Sequence, residues 1–266
     1  MKIAAYLRAN ESNTNERLWH FGKALGAELT YRDNPVECDL AIQSGFQISP
    51  AMQDAISRGI PIIILENPCW GKEDGTYTWA YNGLNGLGFV PNVPMGSRPT
   101  PELQGWKDWR SGDTTVFGQV EHDKALRGAD IYKWVDQCRT VLPHASFREH
   151  PIMLDHRFYT QEAYQDCLDR TTLAVTYSST VAAEAVIAGI PTIACHPGSL
   201  AYEVTSHSLS DAPVTPDRQE WLHKLSYRHI NPAEDVPVDY ILSGYQEARH
   251  KAEQGEYDNM SNGRDQ

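Results

Sequence analysis

The run Ile60-Pro61-Ile62-Ile63-Ile64-Leu65 is apolar at every position and follows a helix signal that closes at Gly59. A strand apolar on both faces is one covered on both faces, as in a parallel sheet with helices above and below. The preceding segments keep the same rhythm. Ile3–Leu7 reads as a strand, and residues 15–25 as an amphipathic helix with Leu18, Phe21 and Leu25 on one face. Residues 39–43 read as a short buried strand, and Ser49-Pro50 as an N-cap with proline at the first helical position. Alternation of this kind predicts a doubly wound α/β sheet.

Residues 67–112 break the rhythm, being rich in Gly, Pro, Asn, Trp and Tyr. A long irregular segment after a strand's C-terminal end is where open α/β folds place ligands. Alternation restarts at Thr114, with strands expected at 114–118, 145–148, 173–176 and 192–195 and helices at 131–141, 161–168, 180–188 and 216–227. The expected division is a first domain of residues 1–112, a second of 113–235, and a final helix (238–252) with a polar, fraying tail in 236–266.

The 266 residues suffice for two such domains, with 41% hydrophobic and 22% charged content. No apolar run approaches the ~20 residues that span a bilayer, and Arg8, Asn10 and Glu11 interrupt the first strand too early for a signal segment. The expectation is a cytoplasmic protein without membrane partners. Five scattered cysteines with no CxxC pair indicate neither disulfides nor a zinc site. Residues 1–112 carry 10 Lys and Arg against 12 Asp and Glu (net −2), and residues 113–266 carry 13 against 23 (net −10). So acidic a second half repels nucleic acid at long range. Neither half has GxGxxG after its first strand, which disfavours a NAD-dependent oxidoreductase.

Tyr177-Ser178-Ser179-Thr180 follows the strand at 173–176 and places hydroxyl residues where a helix starts. The helix N-terminus is a ready anion site, and Glu184 lies about one turn inside. Gly189 ends the helix, and Pro191 opens the next strand. An ordinary, well-capped βαβ crossover has the same pattern. The run also resembles the donor-site signature of glycosyltransferases of the two-Rossmann-domain, or GT-B, class. The resemblance implies two Rossmann-like domains facing across a cleft, with a C-terminal helix returning to the first. It implies that Ser178, Ser179 and Thr180 hold the diphosphate of a nucleotide sugar and that Glu184 holds the ribose.

Three further segments carry the resemblance. Phe147-Arg148-Glu149-His150-Pro151 is similar to the Arg/Lys-x-His-Pro element of capsule-type and phage-type transferases, which implies that Arg148 and His150 stabilise the leaving diphosphate. Gly118-Gln119-Val120 is similar to a Gly-Gln-Val element opening the donor cleft, with Gly118 admitting close approach and Gln119 bonding base or phosphate. Leu65-Glu66-Asn67-Pro68-Cys69-Trp70-Gly71-Lys72-Glu73-Asp74, with Tyr77-Thr78 and Asn82-Gly83-Leu84-Asn85-Gly86 beyond it, resembles the acceptor-side segment of small phage enzymes. Sugar transfer to a hydroxyl needs a carboxylate to take the proton. Asp74 is the first candidate and Glu66 the second, although Gly75 stands where a basic residue often follows the Asp.

Tyr77, Asn82, Asn85, Trp106 and Arg110 are the candidate acceptor contacts, the last two either as base-stacking residues or as packing at an interdomain hinge. His196 is a candidate donor contact, with a plain turn as the alternative. No DxD motif or histidine cluster proposes a metal, and no cofactor is implied beyond a UDP-sugar co-substrate. The best expectation is a UDP-sugar glycosyltransferase acting on an acceptor hydroxyl, for which hydroxymethylated pyrimidine in phage DNA is the first candidate. A surface or capsular saccharide is the second, and a nucleotide-sugar-binding module without catalysis the third. Oligomeric state is left open.

Overall fold

The structure, a computed structural model, describes residues 1–9, 12–45, 47–150 and 162–258. These fall into two compact units, one of residues 1–98 with 224–258 and one of residues 99–223. Each is built on its own sheet.

The first unit opens with β1 (Ile3–Leu7), α1 (Ser12–Ala24), β2 (Glu28–Tyr31), β3 (Leu40–Ser44), α2 (Pro50–Ser57), β4 (Ile62–Glu66) and β5 (Tyr77–Tyr81). Its first four strands pair in parallel in the order β2-β1-β3-β4. Strand side chains alternate between faces, and the core divides accordingly. Ile3, Ala5, Ile42, Ile63 and Leu65 pack with Leu18 and Phe21 of α1. Ala4, Tyr6, Ala41, Ile62 and Ile64 pack with Ala51, Met52 and Ala55 of α2. The isoleucine run is therefore apolar at every position because each face meets a helix. Ser49 caps α2 as its sequence implies, its Oγ accepting from Met52 N at 3.2 Å.

Residues 67–112, expected to be irregular, contain β5, which pairs antiparallel with β4. Its signal was the alternation of Tyr77, Trp79 and Tyr81, all buried in one core. By pairing, β5 removes an exposed edge from β4. Strand β2 was also missed: only Thr30 of its four residues is buried, so no apolar pattern announces it.

The second unit holds β6 (Asp113–Phe117), α3 (Ile131–Val141), β7 (Ser146–Arg148), α4 (Tyr164–Arg170), β8 (Thr171–Thr176), α5 (Val181–Ile187) and β9 (Thr192–Ala194). Its sheet is parallel throughout, in the order β7-β6-β8-β9. Val116, Leu173, Val175 and Ile193 meet α3 through Ile131, Trp134, Val135 and Cys138. Phe117 and Ala174 meet α4 and α5 through Cys167, Leu168 and Ala185. The chain passes back to the first unit within α6 (Gln219–Ser226), where Trp221 is core, its indole donating to Leu200 O at 2.9 Å.

The division at residue 99, ahead of the 111–113 position read from the sequence, has a physical reason. Residues 104–107 are strapped to the second unit. Gln104 N donates to Ile187 O at 3.0 Å, and Lys107 N donates to Gly189 O at 2.7 Å. Lys107 Nζ donates to Asp169 O at 2.7 Å and Thr171 O at 2.9 Å, where a cation complements the end of α4. Gly189 has φ +75°, and a Cβ there would collide with the carbonyl oxygen of Gly105. Gly189→Ala is expected to lower stability by at least about 1–2 kcal/mol, through left-handed strain plus displacement of the strap. Urea denaturation reads this out, and an unchanged midpoint would show that the strap contributes nothing.

The return segment adds β10 (His229–Ile230), α7 (Val238–Ser243) and α8 (Tyr245–Glu253) to the first unit. The helix expected over 238–252 is broken at Gly244, where a Cβ would stand 3.1 Å from Pro91 Cδ. β10 pairs antiparallel with β5. The polar tips of β5 fasten the segment: Trp79 Nε1 donates to Tyr227 O at 2.9 Å and Tyr81 Oη to Ile241 O at 2.9 Å. Buried aromatic donors thus find carbonyl partners.

Candidate functional site

Each sheet reverses its winding beside its own first strand. β1 lies between β2 and β3, and β6 lies between β7 and β8. Open α/β sheets take ligands beyond the carboxyl ends of the strands at such a reversal. Both units therefore offer an edge, and most of the residues singled out in the sequence lie on one or the other.

In the second unit the loops after β6, β8 and β9 bond to one another. Gln119 Oε1 accepts from Ser178 N at 2.8 Å, and Ser178 Oγ donates to Ala125 O at 2.9 Å. His196 N donates to Tyr177 O at 3.0 Å. Gln119 and Ser178 are buried, and these bonds set the turn, so in this structure they shape the edge where the sequence reading had them contact a ligand. Ser179 and Thr180 are half-buried at the start of α5, with Ser179 Oγ accepting from Val181 N at 3.3 Å. Glu184 accepts from Tyr164 Oη at 2.6 Å. Burial and the carboxylate beside it push the Tyr164 phenol upward, so it stays a donor.

Arg148 is buried, donates from Nη1 to Glu162 O at 2.8 Å, and lies over the Tyr164 ring at 5.7 Å. His150 is half-buried beside it in sequence, and Pro151 lies outside the described residues. At Gly118 a Cβ would meet Arg148 O at 3.5 Å, an ordinary contact, so the protein's own packing does not demand glycine there. His196 Nδ1 accepts from Gly198 N at 2.9 Å, and its ring stacks on Tyr177 with centroids 5.1 Å apart. Tyr164, whose hydroxyl holds Glu184, is not singled out in the sequence because no local pattern marks it.

The first unit's edge is basic. Arg8 and Arg32 both donate to the carbonyl of Ser44 at the end of β3. Asn15 braces Arg8 from both sides, Oδ1 accepting from Arg8 N at 2.9 Å and Nδ2 donating to Arg8 O at 2.7 Å. Gly45 follows with φ +71°, and a Cβ on it would stand 2.7 Å from Arg8 Nη2 and 3.8 Å from Glu66 Oε1. Glu66, half-buried at the end of β4, thus shares this edge with an arginine.

Asp74 stands exposed in the loop after β4, between Gly71 (φ +68°) and Gly75 (φ +74°). The loop is anchored at its base. His229 Nδ1 donates to Leu225 O at 2.9 Å, while Nε2 accepts from Cys69 N at 3.2 Å and faces Cys69 Sγ at 3.2 Å. Trp70 stacks on the imidazole with ring centroids 3.4 Å apart and planes 7° apart. Burial lowers the His229 pKa to about 3, so the ring is neutral at ordinary pH.

Four of the candidate acceptor contacts have partners within their own unit. Tyr77 is fully buried, its hydroxyl 2.7 Å from His20 Nδ1. Asn82, with φ 54°, accepts from Ile62 N at 2.9 Å and donates to Ala248 O at 2.8 Å. Trp106 belongs to the second unit, where its indole donates to Pro216 O at 3.2 Å beneath the Arg218 guanidinium at 3.8 Å. Arg110 lies over Trp109 at 4.3 Å in that same unit. Asn85, half-buried with φ 49°, opens a short turn. Among the described residues no cluster of His, Cys, Asp and Glu could hold a metal ion, and no helix is long and apolar enough to cross a membrane.

The α/β fold of the chain is similar to that of two solved transferase structures. Two solved structures from Thermosulfurimonas dismutans show the likeness. KpsC, beta Kdo 2,4 transferase, superposes with a TM-score of 0.54 at 16% identity over 92% of this chain and 98% of that one. KpsC, beta Kdo 2,7 transferase, gives a TM-score of 0.51 at 12% identity over 91% of this chain and 100% of that one. No protein-family model and no curated protein sequence matches the chain.

Proposed function

We propose that the chain is a glycosyltransferase of the GT-B type, moving a sugar from a nucleotide-sugar donor to a hydroxyl of a saccharide acceptor. The observation carrying this reading is the second unit's edge. There the loop after β6, the loop that carries Ser179 and Thr180 and the loop that carries His196 bond in turn at the carboxyl ends of a parallel sheet, in a chain whose fold is similar to that of a solved transferase. The donor's phosphates sit against the three bonded loops, and Glu184, held by Tyr164, meets the ribose. Asp74, exposed in the loop after β4, is the candidate to take the proton of the acceptor hydroxyl. Glu66, at the end of β4, is the second candidate for the base.

A saccharide is favoured over DNA as acceptor. The chain carries a formal charge of −12, which opposes association with a polyanion, and the structural neighbours are named as Kdo transferases. The test is to incubate the protein with nucleoside mono- and diphosphate sugars, UDP-sugars and Kdo donors included. Oligosaccharide acceptors and hydroxymethylated DNA are presented in parallel, with products read by mass spectrometry. Sugar-bearing oligosaccharide is the expected product. Sugar on DNA alone would overturn the acceptor assignment, and nucleotide binding without any turnover would leave a binding module.

A further inference from the structure

We infer that Arg127 is the cation that holds the donor's phosphate at the second unit's edge, an inference resting on the donor reading above. Arg127 ends the short turn Lys124–Leu126 that follows β6, and it does so in left-handed backbone with φ 51° and ψ 40°. For a residue bearing a Cβ this conformation is costly, and such strain gathers where a side chain must be aimed. The turn is fixed at its start, Asp123 Oδ1 accepting from Ala125 N at 2.9 Å. Its end is fixed by the arginine, Nη1 donating to Ala125 O at 2.9 Å. The same carbonyl accepts from Ser178 Oγ at 2.9 Å, so the guanidinium is tied to the residue that opens the hydroxyl-rich stretch.

On the other side lies the loop after β9. A Cβ at Gly198 would stand 2.7 Å from Arg127 Nη1 and 3.0 Å from His196 Nδ1. The absent side chain at Gly198 thus leaves the space in which the guanidinium lies. Each of Arg127 and Arg148 donates from Nη1 to a carbonyl, of Ala125 and Glu162 respectively, but Arg127 is half-buried whereas Arg148, the cation that the sequence nominated, is buried. A half-exposed guanidinium at the winding reversal, among loops from three strands, suits a phosphate that must enter and leave with each turnover.

Calorimetric titration of the full chain with UDP and CMP, and with uridine and cytidine, tests the inference. Arg127→Gly removes the cation and relieves the left-handed strain, so the variant is expected to melt no lower than the parent. It should bind whichever nucleotide the parent binds about ten- to a hundredfold more weakly, while the matching nucleoside is unaffected. Arg127→Lys should recover part of the loss, and Arg148→Gln should weaken binding less than Arg127→Gly. Unchanged nucleotide affinity in Arg127→Gly, or an equal loss for the nucleoside, would overturn the inference while leaving the donor reading standing. A parent protein that binds neither UDP nor CMP would remove both.

Discussion

Asp74→Asn is expected to lower sugar transfer by roughly 10²–10⁴-fold, the usual cost of losing a general base. The loop that carries Asp74 is rigid at its foot, through the Cys69–His229 contact and the Trp70 stack, and its two bends are glycines in left-handed backbone. A fixed carboxylate open to solvent can both accept a proton and release it to water. Asn keeps the size of the side chain and removes only its basicity. Nucleotide affinity should stay within about twofold of the parent, since the donor contacts proposed here lie in the other unit. The companion variant Glu66→Gln should cost less than about tenfold. Transfer retained in Asp74→Asn but abolished in Glu66→Gln would move the base to the end of β4. Activity surviving in both would place it on a residue not identified here.

The second large effect is on stability and comes from His229. Its pKa falls from 6.5 to about 3 on folding, so the native state takes up the neutral ring and refuses the proton. The unfolded chain binds that proton once the pH drops below about 6.5, so the stabilisation is complete above that value and declines as pH falls towards 3. At 1.36 kcal/mol per unit, moving from pH 7 to pH 5 should remove about 2 kcal/mol through this residue alone. Urea denaturation at the two pH values, for the parent and for His229→Gln, isolates the contribution. The variant is expected to be less stable at pH 7 but to lose about 2 kcal/mol less on acidification. Identical pH dependence in both proteins would mean that the ring titrates freely in the native state.

Much of the architecture was legible because burial on two faces and helix capping both leave marks in short windows. The isoleucine strand, the Ser49 cap, α3 and the β8–α5–β9 crossover could all be read that way. The misses have physical causes. β2 is an edge strand with one buried residue, so it has no apolar period to detect. β5 alternates correctly, but its aromatic side chains and the Gly- and Asn-rich sequence after it look like a binding loop. Asn82 read as a ligand contact because a buried asparagine bridging two backbone segments has the same local sequence as one facing a ligand; only the partners Ile62 and Ala248, 20 and 166 residues away, separate the two. The proposed donor edge rests on hydroxyl residues and glycines that short windows of sequence display. Which of those residues turn inward was not legible, since Gln119 and Ser178 satisfy each other across 59 positions of sequence.

The return of residues 224–258 to the first sheet gives the two units different histories during synthesis. Domains fold as units while the chain emerges, the N-terminal one ordinarily leading. Here the order is inverted. Among the described residues the second unit is contiguous and can close once residue 223 has left the ribosome, whereas the first unit's sheet gains β10 only later. Until then Trp79 and Tyr81 lack the carbonyls of Tyr227 and Ile241, and β5 offers an unpaired edge to any passing strand. The half of the protein that is made first is thus the half that matures last.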